Sequence, residues 1–242
     1  MPRFFIDTSH NVGEFVAIDG ENLDHLKVLR PRIGEALELC NSAERVVYHA
    51  ETAKISRHDA QVKIIRQSLA DSEPAVKITL FQAIPKLDKM ELIIQKCVEL
   101  GVYRIVPVVT DRTVSNPPNA AQKLKRWQKI AHAAAQQSRR DIIPEIGDII
   151  TLQGVLSELS NFDSAFVAYE CETGIQASEA FKTASLQHIA LFVGPEGGFE
   201  PAEIQALCAA GVKSVSLGKR ILRTETAAFA SMIILLSAQG EF

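Results

Sequence analysis

Two stretches near the C-terminus concentrate the residues best suited to hold a ligand. The first, "LFVGPEGGFEPAE" at residues 191–203, sets Gly194, Gly197 and Gly198 around Pro195 and Glu196, behind an apolar run that includes Val193. Glycines in such a turn can adopt positive φ and let a ligand approach the main chain. Glu200-Pro201-Ala202-Glu203 then opens a helix, with proline at its first position and a carboxylate that complements the helix dipole. A phosphate cradle has a similar outline, but no Lys-Ser/Thr follows these glycines and the G-x-G-x-x-G spacing is absent. Glu196 would also repel an anion, by about 4 kcal/mol at about 4 Å and an effective dielectric near 20. The loop therefore suits a hydroxyl-rich or cationic ligand. Alone, it also fits a plain β-to-α turn with Glu196 solvated.

The second stretch, "LGKRILRTETA" at residues 217–227, groups Lys219, Arg220, Arg223 and Glu225 around Ile221 and Leu222. A mere connector has little use for apolar residues between arginines. Ile221 and Leu222 could wall a flat aromatic ring such as adenine, with backbone groups at Leu217, Gly218 and Leu222 reading its edge. The competing reading is a plug at the bottom of the domain with a solvated charged face.

These loops need strands to carry them. From Met1 to about Gln67 the signals are short and β-type ("RFFID", "EFVAI", "EALELC", "RVVYHAETAKI", "AQVKIIRQ"), broken by Asp19-Gly20, Pro31, Gly34 and Asn41-Ser42. They predict a small barrel or curled sheet, interrupted by one helix over residues 22–30. Residues 68–75, "SLADSEPA", have linker composition. After Val76, strands such as "VKITLFQAI", "YRIVPVVT", "SAFVAYE", "HIALFVG" and "VKSVSLG" alternate with helices predicted near residues 86–100, 120–140, 201–210 and 224–239. Such alternation predicts an α/β domain with a mostly parallel sheet covered on both faces. Ligands of these sheets bind beyond the strands' carboxyl ends, where Tyr169-Glu170 and both loops lie.

With 242 residues, 47% hydrophobic, the chain can bury one large core or two modest ones. A net charge of −3 supplies no overall field for a polyanion, so any nucleic-acid surface must be a local patch. Cys40, Cys97, Cys171 and Cys208 show no C-x-x-C spacing, which argues against a zinc site and reads as buried free thiols in a reducing cytosol. "MPRFFIDTSH" lacks the layout of a signal peptide, and "AAFASMIILLSA" is too short to span a membrane. The expected compartment is the cytoplasm, with neither membrane nor metal involved.

The two loops together resemble the family of small-subunit ribosomal RNA methyltransferases, enzyme E, in the SPOUT superfamily. "QKCVELGV" (95–102), "VVTDRT" (108–113), "RWQKIAHAAAQQSRR" (126–140) and "HLKVLRPRIG" (25–34) are similar to the family's other blocks, in order, across nearly the whole chain. The resemblance implies a PUA-like RNA-binding β-barrel at residues 1–72, then a SPOUT methyltransferase domain at 73–242 with a C-terminal trefoil knot. Threaded chains are rare, and nothing in the residue pattern alone suggests one. It further implies a homodimer that binds S-adenosyl-L-methionine in the knot and methylates N3 of a uridine near the 3′ end of 16S rRNA in the small ribosomal subunit. Carried onto matching positions, the cofactor pocket is Tyr169, Glu170, Val193, Gly194, Pro195, Glu196, Gly197, Gly198, Ser216, Leu217, Gly218, Ile221, Leu222, Thr226 and Ala227. A sulfonium ligand with ribose hydroxyls and no phosphate agrees with the charge argument for the glycine loop.

Uridine N3 carries a proton at neutral pH, so methylation needs a group to accept it or to stabilise the resulting anion. Arg223 is the expected stabiliser, and Glu225 is either the acceptor or the partner that orients Arg223. His10, His25, His49, His58 and His188 read as surface or core residues. His132 lies where the family carries an acidic block, and here Ala133 and Gln136 replace two expected carboxylates. That departure keeps open a noncatalytic ribosome-binding or RNA-binding protein that retains the fold. Candidate RNA contacts are Arg3, Arg30, Arg32, Arg112, Arg126, Arg139 and Arg140, with Lys123, Lys125 and Lys129 beside Arg126.

Overall fold

The computed structural model describes residues 1–113, 119–183 and 187–242. Packing divides them into two units, Met1–Glu73 with Ala135–Ile143, and Pro74–Ala134 with Pro144–Phe242. The break after Glu73 falls inside the linker-like stretch. The inclusion of Ala135–Ile143 in the first unit has no counterpart in a linear reading of the chain.

In the first unit, strands β1 (Arg3–Ile6) and β2 (Phe15–Ile18) precede helix α1 (Gly20–Leu29), and β3 (Ala36–Asn41), β4 (Val46–Ile55) and β5 (Ala60–Leu69) follow. They form a five-stranded sheet ordered β1-β3-β4-β5-β2, in which only the β1–β3 pair is parallel. The pairing is thus an open path ending at β1 and β2. Along β5 the side chains alternate: Ala60, Val62 and Ile64 are buried, while Gln61 and Lys63 face out. Leu23 and Leu26 of α1 seal the core formed with Phe4, Leu37, Leu39 and Tyr48. Arg30 takes φ 51 at the end of α1, a left-handed cap that stops the helix before Pro31.

The second unit runs β6 (Lys77–Ala83), α2 (Lys89–Glu99), β7 (Arg104–Val109), α3 (Ala120–Gln137), β8 (Glu145–Ile146), β9 (Ile150–Thr151), α4 (Leu152–Glu158), β10 (Ser164–Ala168), α5 (Ala177–Ala180), β11 (His188–Val193), α6 (Pro201–Ala209), β12 (Lys213–Val215) and α7 (Thr224–Ala238). Its sheet is ordered β12-β10-β11-β6-β7-β8, with β9 also on β7, and every pair is parallel. A parallel sheet covered on both faces needs strands apolar throughout rather than alternating. β6 is accordingly buried at every position after Lys77, and β11 at every position after His188. Phe81 and Phe192 stack across these neighbouring strands with centroids 4.8 Å apart. Gly101 ends the second helical turn region at φ +101, as its place after "VEL" predicts. The helix predicted over 120–140 stops at Gln137, and Arg139 adopts φ 58.

Among the described residues no helix is long and apolar enough to cross a membrane, and no group of His, Cys, Asp or Glu could hold a metal ion. Two cysteines differ from expectation, because Cys171 and Cys208 are exposed while Cys40 and Cys97 are buried. Burial, with Asp141 nearby, pushes the Cys40 thiol up to about 11.

Candidate active site

A cavity of about 520 Å³ opens at the carboxyl ends of β10, β11 and β12, a size that suits a cofactor or drug-sized ligand. Three loops converge on it. Tyr169 and Glu170 follow β10, residues 193–198 leave β11, and residues 216–224 run from β12 into α7. All the expected cofactor residues line it except Thr226, which is exposed on α7. Arg223 lines the cavity, and Glu225 stands one helical step away, part-buried.

The glycine loop owes its composition to its own packing more than to a ligand pressed on its α-carbons. A Cβ on Gly198, at φ +69, would sit 2.2 Å from Glu170 Oε1. One on Gly197 would lie 3.2 Å from Arg112 Cδ, and one on Gly194 would lie 3.2 Å from the Phe199 ring and 3.3 Å from the Gly198 backbone. The glycines therefore admit neighbouring protein atoms, and what they offer the cavity is main-chain edge. Gly218, at φ +109, is the one glycine of the second loop, and its N–H donates to Ser216 Oγ at 3.3 Å.

Two residues distant in sequence fix this loop. Gln82, fully buried at the end of β6, donates through Nε2 to Thr224 Oγ1 at 3.0 Å, and Thr224 Oγ1 donates to the Gly194 carbonyl at 2.6 Å. Arg112, expected on the substrate side, instead donates through Nε to Glu200 at 2.7 Å and through Nη1 to the Gly197 carbonyl. The side-chain hydrogen bond to Glu200 raises the pKa of Arg112, and the same bond lowers that of Glu200. Glu203 completes the frame: it is buried and accepts from Asp111 N–H at 2.9 Å and Glu200 N–H at 2.8 Å, so α6 begins with reciprocal caps.

Glu196 is not the unpaired carboxylate that the phosphate argument assumed. Lys89 Nζ lies 3.0 Å from its Oε1, and the Lys86 N–H reaches both its oxygens at 3.2 Å. Burial pulls the Glu196 pKa up, but the Lys89 and backbone hydrogen bonds outweigh it and hold the carboxyl below its usual range. The repulsion expected of Glu196 toward an anion is therefore largely cancelled within the protein. The loop still lacks the Lys-Ser/Thr and the G-x-G-x-x-G spacing with which proteins cradle phosphate. Lys89 also lies 3.5 Å from Glu225 Oε2, a buried oxygen that makes no hydrogen bond. Neither Lys89 nor Gln82 was singled out by sequence; a lysine at the first position of a helix, where the dipole disfavours a cation, was the available signal for the former.

The apolar pair of the second loop is more open than expected. Ile221 is 87% exposed at the cavity, while Leu222 is half-buried. The neighbouring Cys171 thiol raises the Tyr169 pKa.

Two arginines proposed for RNA are structural. Arg3 is buried, pairs with Glu38 at 3.0 Å and Asp141 at 2.6 Å, and donates to the Arg139 carbonyl at 2.7 Å. Arg140 is 4% exposed and pairs with Glu73. Arginines so engaged satisfy buried carboxylates and are not available to phosphate. Arg126 is exposed but pairs with Glu91 at 2.8 Å. Arg30, Arg32 and Arg139 remain exposed. Ala133 and Gln136, where the family's acidic block is absent, do not line the cavity.

Residues 72–236, which carry the parallel sheet and the main-chain-edged cavity at its strand ends, match the RNA methyltransferase domain family. The chain belongs to the ribosomal RNA small subunit methyltransferase E family. It is 33% identical over 238 residues to the Bacillus subtilis ribosomal RNA small subunit methyltransferase E, covering 94% of this chain and 93% of that one. It is 31% identical to the enzyme of that name from Buchnera aphidicola of Acyrthosiphon pisum, covering 100% and 95%. Among solved structures, that of the Neisseria gonorrhoeae ribosomal RNA small subunit methyltransferase E bound to S-adenosyl methionine is 34% identical with a TM-score of 0.86, covering 98% of this chain and 97% of that one. A Legionella pneumophila methyltransferase in complex with SAM is 30% identical with a TM-score of 0.88, covering 98% and 97%.

Proposed function

We propose that this protein transfers a methyl group from S-adenosyl-L-methionine to N3 of a uridine in 16S rRNA. The observation that carries the reading is the convergence of three strand-end loops on one cavity of about 520 Å³, in a chain of the methyltransferase E family. When bound, the cofactor supplies a methyl group already activated on a sulfonium. The protein's share is alignment and charge control. The main-chain edge of residues 193–198 and 216–222 suits ribose hydroxyls and an adenine rim, and Ile221 and Leu222 suit the ring faces. Glu170, exposed at the cavity, takes over from Glu196 as the carboxylate best suited to a cationic sulphur.

Arg223, exposed in the cavity wall at the N-cap of α7, would stabilise the uridine anion as N3 loses its proton. Glu225, close to an ammonium, suits the role of orienting carboxylate better than that of base. RNA would be held by Arg30, Arg32 and Arg139, all belonging to the PUA-like first unit. The trefoil knot and the homodimer belong to the same proposal; Leu92 of α2 and Ile233 of α7 are exposed apolar residues on two helices that pack together, suited to a subunit interface. The noncatalytic alternative loses ground because its supporting substitutions, Ala133 and Gln136, lie off the cavity.

The test is transfer of a labelled methyl group from the cofactor to small subunits purified from cells lacking this protein, followed by mass spectrometry of the RNA. Label at uridine N3 is expected. Cofactor binding with no label in either subunits or free RNA would refute the proposal.

A further inference from the structure

We propose that Lys89 is a positioning residue for this reaction, the cation that ties the cofactor loop to the first turn of α7. The inference rests on the cofactor reading above. Lys89 is the first residue of α2, where the helix dipole disfavours a positive charge, so its presence there calls for compensation. Compensation comes from two carboxylates on separate segments: Glu196 of the glycine loop at 3.0 Å and Glu225 of α7 at 3.5 Å. Glu196 is gripped a second time by the Lys86 N–H. Between these two lysines, Leu87 adopts φ +58 while 90% exposed. A γ-branched residue in the left-handed region marks a turn whose backbone is held against its preference, and such strain gathers at functional sites. Here the strained turn presents Lys86 N–H and Lys89 Nζ to the same carboxylate.

Lys89 itself lines the cavity. The Glu196 hydrogen bond raises its pKa, so it stays an ammonium at neutral pH and cannot take the uridine proton. Its task is to hold two things in register: the main-chain edge offered to the methyl donor, and the Arg223–Glu225 end of α7 offered to the acceptor base. Glu225 Oε2 is buried and makes no hydrogen bond, so the Lys89 ammonium at 3.5 Å is the charge set against it.

The experiment measures S-adenosylmethionine affinity by calorimetry and turnover on small subunits for wild type, Lys89→Met, Lys89→Arg, Glu196→Gln and the Lys89→Met/Glu196→Gln double variant. Lys89→Met is expected to weaken donor binding about tenfold and lower kcat as well, a size typical of lost coupling between contacting groups. Lys89→Arg should recover most of both, and the double variant should be little worse than either single one. Glu196→Gln reports the same coupling without altering Lys89, so a Lys89→Met protein that fails to fold leaves the test intact. Wild-type affinity in Lys89→Met, no recovery with Lys89→Arg, or multiplying losses in the double variant would each overturn the inference. Failure of the wild-type protein to bind the donor would instead overturn the cofactor reading.

Discussion

Replacing Gly198 with alanine tests how the glycine loop is built. At φ +69 an L-residue costs about 1–2 kcal/mol relative to glycine. The added Cβ also falls 2.2 Å from Glu170 Oε1, so that carboxylate must swing aside. Its rotation is cheap, because it is the end of an exposed, flexible side chain, so the backbone term dominates. A loss of about 1–2 kcal/mol corresponds to a melting decrease of about 2–8 °C for a chain of this size. Displacing Glu170 from the cavity should in addition weaken donor binding. Thermal melts and calorimetry on Gly198→Ala, Glu170→Ala and the double variant separate the two effects. If φ strain rules stability, Glu170→Ala will not restore the melting temperature; if the steric clash rules, it will. An unchanged melting temperature in Gly198→Ala would refute the strain argument outright.

Further outcomes follow from other parts of the site and its frame. Thr224→Val leaves the Gln82 amide and the Gly194 carbonyl short of a buried partner and should cost about 1–3 kcal/mol in a denaturant melt, whereas Thr224→Ser should be near wild type. Arg112→Ala should weaken donor binding while the salt dependence of RNA binding stays constant; a drop of about one in the salt slope would restore a phosphate-contacting role. Arg3→Ala strands two buried carboxylates and should destabilise the first unit by about 3–5 kcal/mol, measured by urea unfolding. Burial, and after it Lys77, lowers the His188 pKa, so the fold favours the neutral ring. Its contribution is complete above the unfolded value near 6.5 and is lost as pH falls through the lower folded value. His188→Gln should flatten that part of the stability profile, and an unaltered slope would contradict the assignment.

The cavity's main walls were legible because strand ends and glycine turns are local signals: residues 193–198 and 216–222 need only their own sequence to be recognised as loops after strands. Its fastenings were not. Gln82 and Thr224 are 142 positions apart, and Lys86 and Glu196 are 110 apart, so no window along the chain contains either pair. Charge misled in the same way. Arg3 and Arg140 read as surface cations until their carboxylate partners, Glu38, Asp141 and Glu73, are brought beside them. Arg112 read as an RNA contact but braces the Gly197 carbonyl. Thr226 lies off the cavity for a simpler reason: α7 begins at Thr224, and helical spacing puts Thr224 and Ala227, three apart, on the wall and leaves Thr226 exposed.

The stretch Ala135–Ile143, which supplies Asp141 to Arg3, has a bearing on biosynthesis. A growing polypeptide carrying only the first seventy-odd residues lacks a portion of its own small domain, and elongation must continue for on the order of several seconds before that portion emerges. Protease resistance of the leading domain on stalled ribosomes should therefore rise late, once the stretch has cleared the exit tunnel, and grafting those early residues onto another enzyme should give a labile module.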